Sequence, residues 1–523
     1  MKGVVAAGHE LTARAGVEML KEGGNAFDAA LAAAFASFVC ESPLTSPGGG
    51  GFFMAHTKEG KTILYDFFPN MPGINRDLKR GEKHFVSGVV KFAGAVQEFH
   101  IGEGAAAVPG CIAGLDMVYK RHCSLPLMDI MTPAISYARD GITLSAYQAY
   151  FQNLLSYILT ASGEARSIYA PKGSLLKEGG TTFNRGMADT LEHLAKEGLG
   201  MFYKGDLADR ILEGFEEHGL ITRKDLEEYR VETREPLIFE YRNRKIFTNP
   251  PPSSGGCLIA FSLKLLEAYN LYRLGHNKPP YLKLFSEALR VTNEARGKDF
   301  DHRVYEEGIT TNFLSDKNIA FYRDRIEAVA SHYEGRKERG TGSTTHISVI
   351  DKEGNAASIT TSNGAGCGFM IPGTGIMMNN MLGEEDLNPH GYHTYEPGIR
   401  ISSMMAPTIV MKRDKPEIVL GSGGSKRIRS AILQVILNII DHGLPVFDAV
   451  NAPRVHCDNG LLHVEGGVEE STINRLKKDD IHIYEWSDRD MYFGGVHTVF
   501  WDDSNNLISG GGDVRRGGVS KHT

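Results

Sequence analysis

One stretch of this 523-residue chain limits its fold more than any other: Thr344-Thr345-His346-Ile347-Ser348-Val349-Ile350-Asp351, then Lys352-Glu353-Gly354-Asn355, then a second extended run from Ala356 to Asn363. Two β-rich runs around a Gly/Asn turn predict a β-hairpin. Two registers satisfy the pattern. With Ile350 opposite Asn355, Thr344 faces Thr361; a shift of one residue sets it against Ser362. In both, a hydroxyl stands beside a hydroxyl, which makes Thr344 a candidate nucleophile.

Threonine favours strands for its β-branch alone, so the tripeptide Thr344-Thr345-His346 says little by itself. Its surroundings say more. Gly364-Ala365-Gly366-Cys367-Gly368 follows the hairpin, then Pro372-Gly373-Thr374-Gly375, Asn379-Asn380 and Glu384-Glu385-Asp386, and further on Ser402-Ser403 and Gly421-Ser422-Gly423-Gly424-Ser425. Glycine-rich turns expose backbone N–H groups able to hold an anion or a developing oxyanion. The last of these turns lacks the spacing of a phosphate-binding Walker loop.

Hydrophobic residues make up 41% of the chain, enough for a large core, and length alone suggests two to four domains. The net charge of −7 is not gathered into runs, which argues against nucleic-acid or membrane partners and for a small polar substrate. Cys40, Cys111, Cys123, Cys257, Cys367 and Cys457 show neither a disulfide framework nor metal-ligand spacing, so buried thiols are expected. His346, His390 and His393 form no convincing ligand set, and no metal or organic cofactor is expected. No segment has the length and flanks of a signal peptide or a membrane span, so the expectation is a cytoplasmic protein.

Apolar spacing over residues 10–22 predicts a helix stopped by Gly23-Gly24, and Asn25 caps a second, alanine-rich core helix with Asp28 in its first turn. The run Gly48 to Phe53 turns into a strand, its glycines serving positive φ or close approach of another segment. The region 108–343 reads as mainly helical. Helices open at Val108-Pro109-Gly110, at Leu125-Pro126, after Phe202 to Asp206, at a Thr222/Asp225 cap, and after the breaker Pro250 to Gly256. A polar linker is expected from Ser331 to Gly342. The chain therefore divides at 343/344, with strands of both parts in shared sheets of a layered α+β core.

Taken in order, Gly23-Gly24-Asn25-Ala26-Phe27-Asp28-Ala29-Ala30, Gly48 to Phe53, Val108-Pro109-Gly110, Pro251 to Gly256, Thr344-Thr345-His346, Ser402-Ser403, Gly423-Gly424 and Asp513-Val514-Arg515-Arg516-Gly517-Gly518 resemble the γ-glutamyltranspeptidase family of N-terminal nucleophile hydrolases across nearly the whole chain. The resemblance implies a four-layer αββα sandwich made as one precursor. That precursor cuts itself between Ser343 and Thr344 into a heterodimer of 1–343 and 344–523, whether or not it assembles further. It also implies Thr344 as nucleophile, Ser362 as the hydroxyl that bonds it (Thr361 if the alignment carries a one-residue deletion), and Gly423 and Gly424 as the oxyanion site. Asn363, Ser402 and Ser403 fall among substrate-binding positions, and an acid of Glu384, Glu385 or Asp386, with Glu384 first by direct counting, is assigned to a substrate ammonium.

One position departs from the family pattern. Where many members carry an arginine that clamps the substrate α-carboxylate, this chain reads Asp66-Phe67-Phe68-Pro69, with Phe68 in its place. A phenyl ring cannot replace a charged fork. The segment from Glu384 to Ser402 is also short for the family, without room for a long lid, so hydrolysis is expected to compete with transfer. The leading expectation is an autoprocessing hydrolase or transferase of γ-glutamyl amides, transferring to water, amino acids or peptides. The second is an acylase for another amide, of glutaryl or β-lactam side-chain type. The third is a non-cleaving homologue that only binds.

Overall fold

The computed structural model describes residues 2–76, 84–91, 96–328, 343–388, 390–458, 460–479 and 481–523. The linker expected at 331–342 lies outside them. Two antiparallel sheets stack face to face with helices on both outer sides, the four-layer αββα sandwich that the resemblance implies. In the first sheet the strand order is Val519–His522, Gly3–Ala7, Thr345–Asp351, Ala356–Ser362, Gly50–His56, Thr62–Phe67, Glu232–Arg234. In the second it is Leu507–Gly511, Gly495–Asp502, Lys415–Gly423, Thr408–Lys412, Arg244–Thr248, Leu237–Tyr241. Each sheet takes strands from both sides of position 343/344.

Strand alternation sorts the core into two layers. Val5, Phe53, Tyr65, Ile347, Val349 and Ile359 point outward and pack with the helices Glu10–Lys21 and Ala26–Cys40. Val4, Phe52, Leu64 and Ile350 point inward, toward the face of the second sheet that carries Ile409 and Val419, and share one cluster with them. The helix Ala26–Cys40 is buried all round. Its alanines let it lie close to both its neighbours, and such a helix needs no polar face. Asn25 and Asp28 cap it reciprocally, Asn25 Oδ1 accepting from Phe27 N at 2.7 Å and Asp28 Oδ2 from Asn25 N at 2.8 Å. The Thr222/Asp225 box forms as expected. No described helix is long and apolar enough to cross a membrane. All six cysteines are free thiols, and Cys123 alone is part-exposed.

The described part of region 108–343 is mainly helical, as expected, but it also supplies strands to both sheets. Leu237–Tyr241 and Arg244–Thr248 form a hairpin that supplies the second sheet's edge, while Glu232–Arg234 closes the first. Its two-residue turn, Arg242-Asn243, has both residues at positive φ (48° and 60°), the geometry that suits a twisted hairpin.

The hairpin at Thr345–Asp351 and Ala356–Ser362 adopts the second of its two registers: Ile350 pairs with Ala356 and Thr345 with Thr361. Asp351 decides this. Its Oδ1 accepts from Glu353 N (2.9 Å) and Asn355 N (3.0 Å), and its Oδ2 from Asn355 Nδ2 (2.8 Å) and Ala26 N (3.0 Å). These bonds close a tight turn with Gly354 at φ +95° and tie it to the start of a core helix. Replacing Asp351 by Ala removes the acceptor for several buried donors. We expect a loss of about 2 kcal/mol, read as a lower urea midpoint at unchanged slope.

Candidate active site

The chosen register turns Thr344 and Ser362 toward each other at the end of the first sheet. Thr344 is 5% exposed, and its Oγ1 donates to Ser362 Oγ at 3.2 Å. Ser362 Oγ donates in turn to the carbonyl of Ser343 at 2.5 Å and accepts from Gly364 N at 3.0 Å. One hydroxyl thus touches both the candidate nucleophile and the carbonyl before it. Thr361, the alternative partner, points to the opposite face, where it accepts from Thr45 Oγ1 at 2.9 Å.

Beneath this end of the sheet the two sheets meet through polar groups. His346 bonds Thr360 Oγ1 (2.8 Å) and Ser348 Oγ (2.9 Å), and burial holds its pKa well below the usual imidazole value. Its ring fills the space a side chain would take at Gly421, where a Cβ would come within 2.4 Å. This is a core role. Gly423 ends its strand so close to the nucleophile that a Cβ would fall 2.0 Å from the Thr344 carbonyl oxygen. Gly424, at φ +129°, then turns the chain into the helix Arg427–Ile440. The glycines at 48–51 also serve close approach: Cβ atoms at Gly49 and Gly51 would lie 2.2 Å and 2.3 Å from the carbonyls of Ser362 and Thr360.

Across the Gly364 turn lies a buried carboxyl with one oxygen unpartnered. Glu384 is 6% exposed, and its Oε1 has no hydrogen-bond partner among the described residues. A side chain at Gly364 would approach that oxygen to 2.8 Å. Burial, with the charge of Asp386 adding to it, pushes the Glu384 pKa up to about 8. Asn363 Oδ1 is likewise unpartnered among the described residues, while its Nδ2 reaches Met378 O at 3.4 Å. Asn380 Oδ1 is taken by Ala365 N at 2.7 Å. The other two acids are placed differently. Glu385 is exposed, and Asp386 accepts from Ser425 Oγ and pairs with Lys426 at 3.3 Å.

Ser402 is half-buried, and Ser403 is fixed against the Pro250–Ser254 turn, its carbonyl accepting from Ser254 N at 2.8 Å and its Oγ from Met405 N at 3.1 Å. Phe68 does not line an open pocket. It is 1% exposed and stacks on Phe52 in the core, with ring centroids 5.5 Å apart. Its backbone carbonyl accepts from Tyr229 OH at 3.0 Å and from Arg400 Nη1. Arg400 is thereby engaged, together with Tyr229 OH (2.7 Å), Arg230 O (2.7 Å) and Asp66 (3.4 Å), so it does not stand in for the missing clamp.

Two residues that sequence reasoning did not single out also reach the Thr344 segment. Glu41 accepts from Thr345 Oγ1 at 2.5 Å and from Thr12 Oγ1 at 2.8 Å, and burial pushes its pKa up to about 7. Arg516 Nη1 donates to the Thr344 carbonyl at 3.2 Å. A carboxylate at a helix C-terminus opposes the macrodipole, and Glu41 at the end of Ala26–Cys40 carried that signal in the sequence. Arg516 Nη2 also donates to Met491 O at 3.4 Å, and the residue follows in sequence on a buried network in which Asp513 pairs with Arg454 (2.7 Å) and Arg515 (3.1 Å), and Arg515 with Glu465 (2.5 Å).

Comparison with known proteins bears on the family and the fold. The family model for Gamma-glutamyltranspeptidase matches residues 12–523. The chain is 32% identical to a glutathione hydrolase proenzyme of Escherichia coli (strain K12) over 504 residues, covering 91% of this chain and 85% of the relative. It is 31% identical to an acylase ACY 1 proenzyme of Pseudomonas sp. (strain V22), with 91% and 86% covered. Among solved structures, a cephalosporin acylase from Bacillus halodurans superposes with a TM-score of 0.85 at 26% identity, over 100% of this chain and 96% of that one. With the αββα sandwich of the N-terminal nucleophile hydrolases and a match over nearly its full length, the chain belongs to the gamma-glutamyltranspeptidase family.

Proposed function

We propose that this chain is the precursor of a threonine hydrolase or transferase that cleaves γ-glutamyl amides. The observation that carries the reading is the hydroxyl chain from Thr344 Oγ1 through Ser362 Oγ to the Ser343 carbonyl. In the maturation step, Thr344 Oγ1 bonds to the Ser343 carbonyl carbon, the C–N bond breaks, and the amine takes the proton. Water then hydrolyses the ester to leave fragments 1–343 and 344–523. Ser362, donating to the Ser343 oxygen, polarises the carbonyl under attack.

The freed α-amine has an unperturbed pKa of about 7.7–8.0, close to working pH, and acts as base for the hydroxyl of its own residue. In turnover, Oγ1 attacks the substrate amide carbon. Charge on the tetrahedral oxygen falls to the backbone at Gly423-Gly424, the amine proton goes to the leaving nitrogen, and water or an amine acceptor resolves the acyl-threonine. Asn363 and Glu384, with unpartnered oxygens, receive the polar end of the donor, and Ser402 and Ser403 its carboxylate.

An acylase for another amide is the second reading, and two observations favour it: Phe68 supplies no guanidinium, and burial beside Asp386 pushes the Glu384 pKa up to about 8, which disfavours the carboxylate form an ammonium needs. Relatives of both kinds, a glutathione hydrolase and an acylase, match at similar identity. Initial rates with γ-glutamyl-p-nitroanilide beside glutaryl-p-nitroanilide separate the two. Faster turnover of the first supports the leading reading, and strong preference for the second replaces it.

Two outcomes follow. Wild-type protein runs as two fragments on a denaturing gel and Thr344→Ala as one; Ser362→Ala slows maturation and turnover by about 10²-fold, measured as a time course and as kcat. A γ-glutamyl ligand carries an ammonium group, which lowers the Glu384 pKa from about 8 and releases a proton at pH 7. Calorimetry in two buffers of different ionisation enthalpy detects that proton. A glutaryl ligand, without the ammonium, releases none.

A further inference from the structure

Two buried groups of opposite charge reach the Thr344-Thr345 segment from different elements. Arg516 comes from the C-terminal tail and holds the Thr344 carbonyl at 3.2 Å. Glu41 comes from the end of the Ala26–Cys40 helix and holds the Thr345 hydroxyl at 2.5 Å. Neither contact is incidental. A Cβ at Gly8 would fall 2.2 Å from Glu41 Oε2 and 3.0 Å from Thr345 Oγ1, so the carboxyl sits where only glycine leaves room. Arg516 is 2% exposed and follows directly on the buried Arg454, Asp513, Arg515 and Glu465 network.

The groups around the pair are few. Thr12 on the helix Glu10–Lys21 donates to Glu41 at 2.8 Å, and Cys40 beside it is a thiol that burial pushes up, out of reach of neutral pH. Tyr147 lies near both members and stays protonated, with its pKa pushed up to about 12. Arg427, Asp513 and Asp490 complete the charges acting on Arg516. Behind Glu41 a small cavity is lined by His9, Tyr147, Gln148 and Gln152, and Gln152 Oε1 has no partner among the described residues.

We propose that Glu41 and Arg516 are positioning residues that set, in opposition, the proton affinity of the Thr344 α-amine. The inference rests on the reading of Thr344 as nucleophile and of its freed amine as base. A guanidinium close to the amine disfavours its ammonium form and lowers its pKa, and a carboxylate favours that form and raises it. Glu41 itself changes charge near pH 7. Below that pH the arginine acts alone and the amine gives up its proton readily; above it the carboxylate offsets the arginine. The pair thereby keeps the base functional toward the acid side of neutrality.

The test is the pH dependence of kcat/KM for matured wild type, Glu41→Gln, Arg516→Gln, Arg516→Lys and Thr345→Val, with one chromogenic anilide substrate. Glu384 is present in every variant, so any ionisation it contributes is common to all. Glu41→Gln moves the acid limb to lower pH and Arg516→Gln moves it to higher pH, each by about half a unit or more, with KM little changed. Thr345→Val, which cuts the link between Glu41 and the strand, moves it the same way as Glu41→Gln, and Arg516→Lys restores the wild-type limb. Glu41→Gln and Arg516→Gln limbs that coincide with wild type, or that both move in the same direction, overturn the inference while leaving the nucleophile intact. Should either Gln variant fail to mature, Thr345→Val is expected to move the limb to lower pH while Arg516→Lys leaves it at the wild-type position, and a Thr345→Val limb that stays in place or moves to higher pH overturns the inference. A wild type that neither cleaves nor turns over instead refutes the reading on which the inference rests.

Discussion

The Asp351 carboxylate fixes the register on which the rest of the site depends. By accepting from Glu353, Asn355 and the first turn of a core helix, it holds the Lys352-Glu353-Gly354 turn tight, so that Thr345 pairs with Thr361. Strand side chains alternate between faces, and a slip of one residue would send Ser362 to the helical layer and bring Thr361 to the site. A turn well removed from the reacting groups thus decides which hydroxyl Thr344 meets.

The second requirement is closeness without side chains. Gly423 lies against the Thr344 carbonyl, Gly421 against the His346 ring, and Gly49 and Gly51 against the strand of Ser362. Each of these approaches is shorter than a methyl group allows, so the backbone itself forms the walls around Thr344. Titratable groups reach the site from separate elements: Glu384 with one oxygen unpartnered among the described residues, Glu41 on the Thr345 hydroxyl and Arg516 on the Thr344 carbonyl.

Much of this was legible in the sequence. The hairpin, the Asn25 and Thr222 caps, the layered α+β core and the ordered family motifs are local patterns, and local patterns survive folding. The register was not, because it turns on Asp351 reaching Ala26, a contact across more than three hundred positions. The hairpin of Leu237–Tyr241 and Arg244–Thr248 was missed because Arg242-Asn243 adopts positive φ without glycine. Phe68 was marked as a departure from the arginine pattern, and its stacking on Phe52 places it in the core. Glu41 and Arg516 escaped notice because neither borders Thr344 in sequence; the sheet and the C-terminal tail bring them there.

Mass spectrometry of the freshly purified wild-type chain tests the central claim most directly. The account predicts two fragments, the second beginning at Thr344 with a free α-amine. An intact chain that stays whole on incubation, or a cut at any other bond, would contradict it.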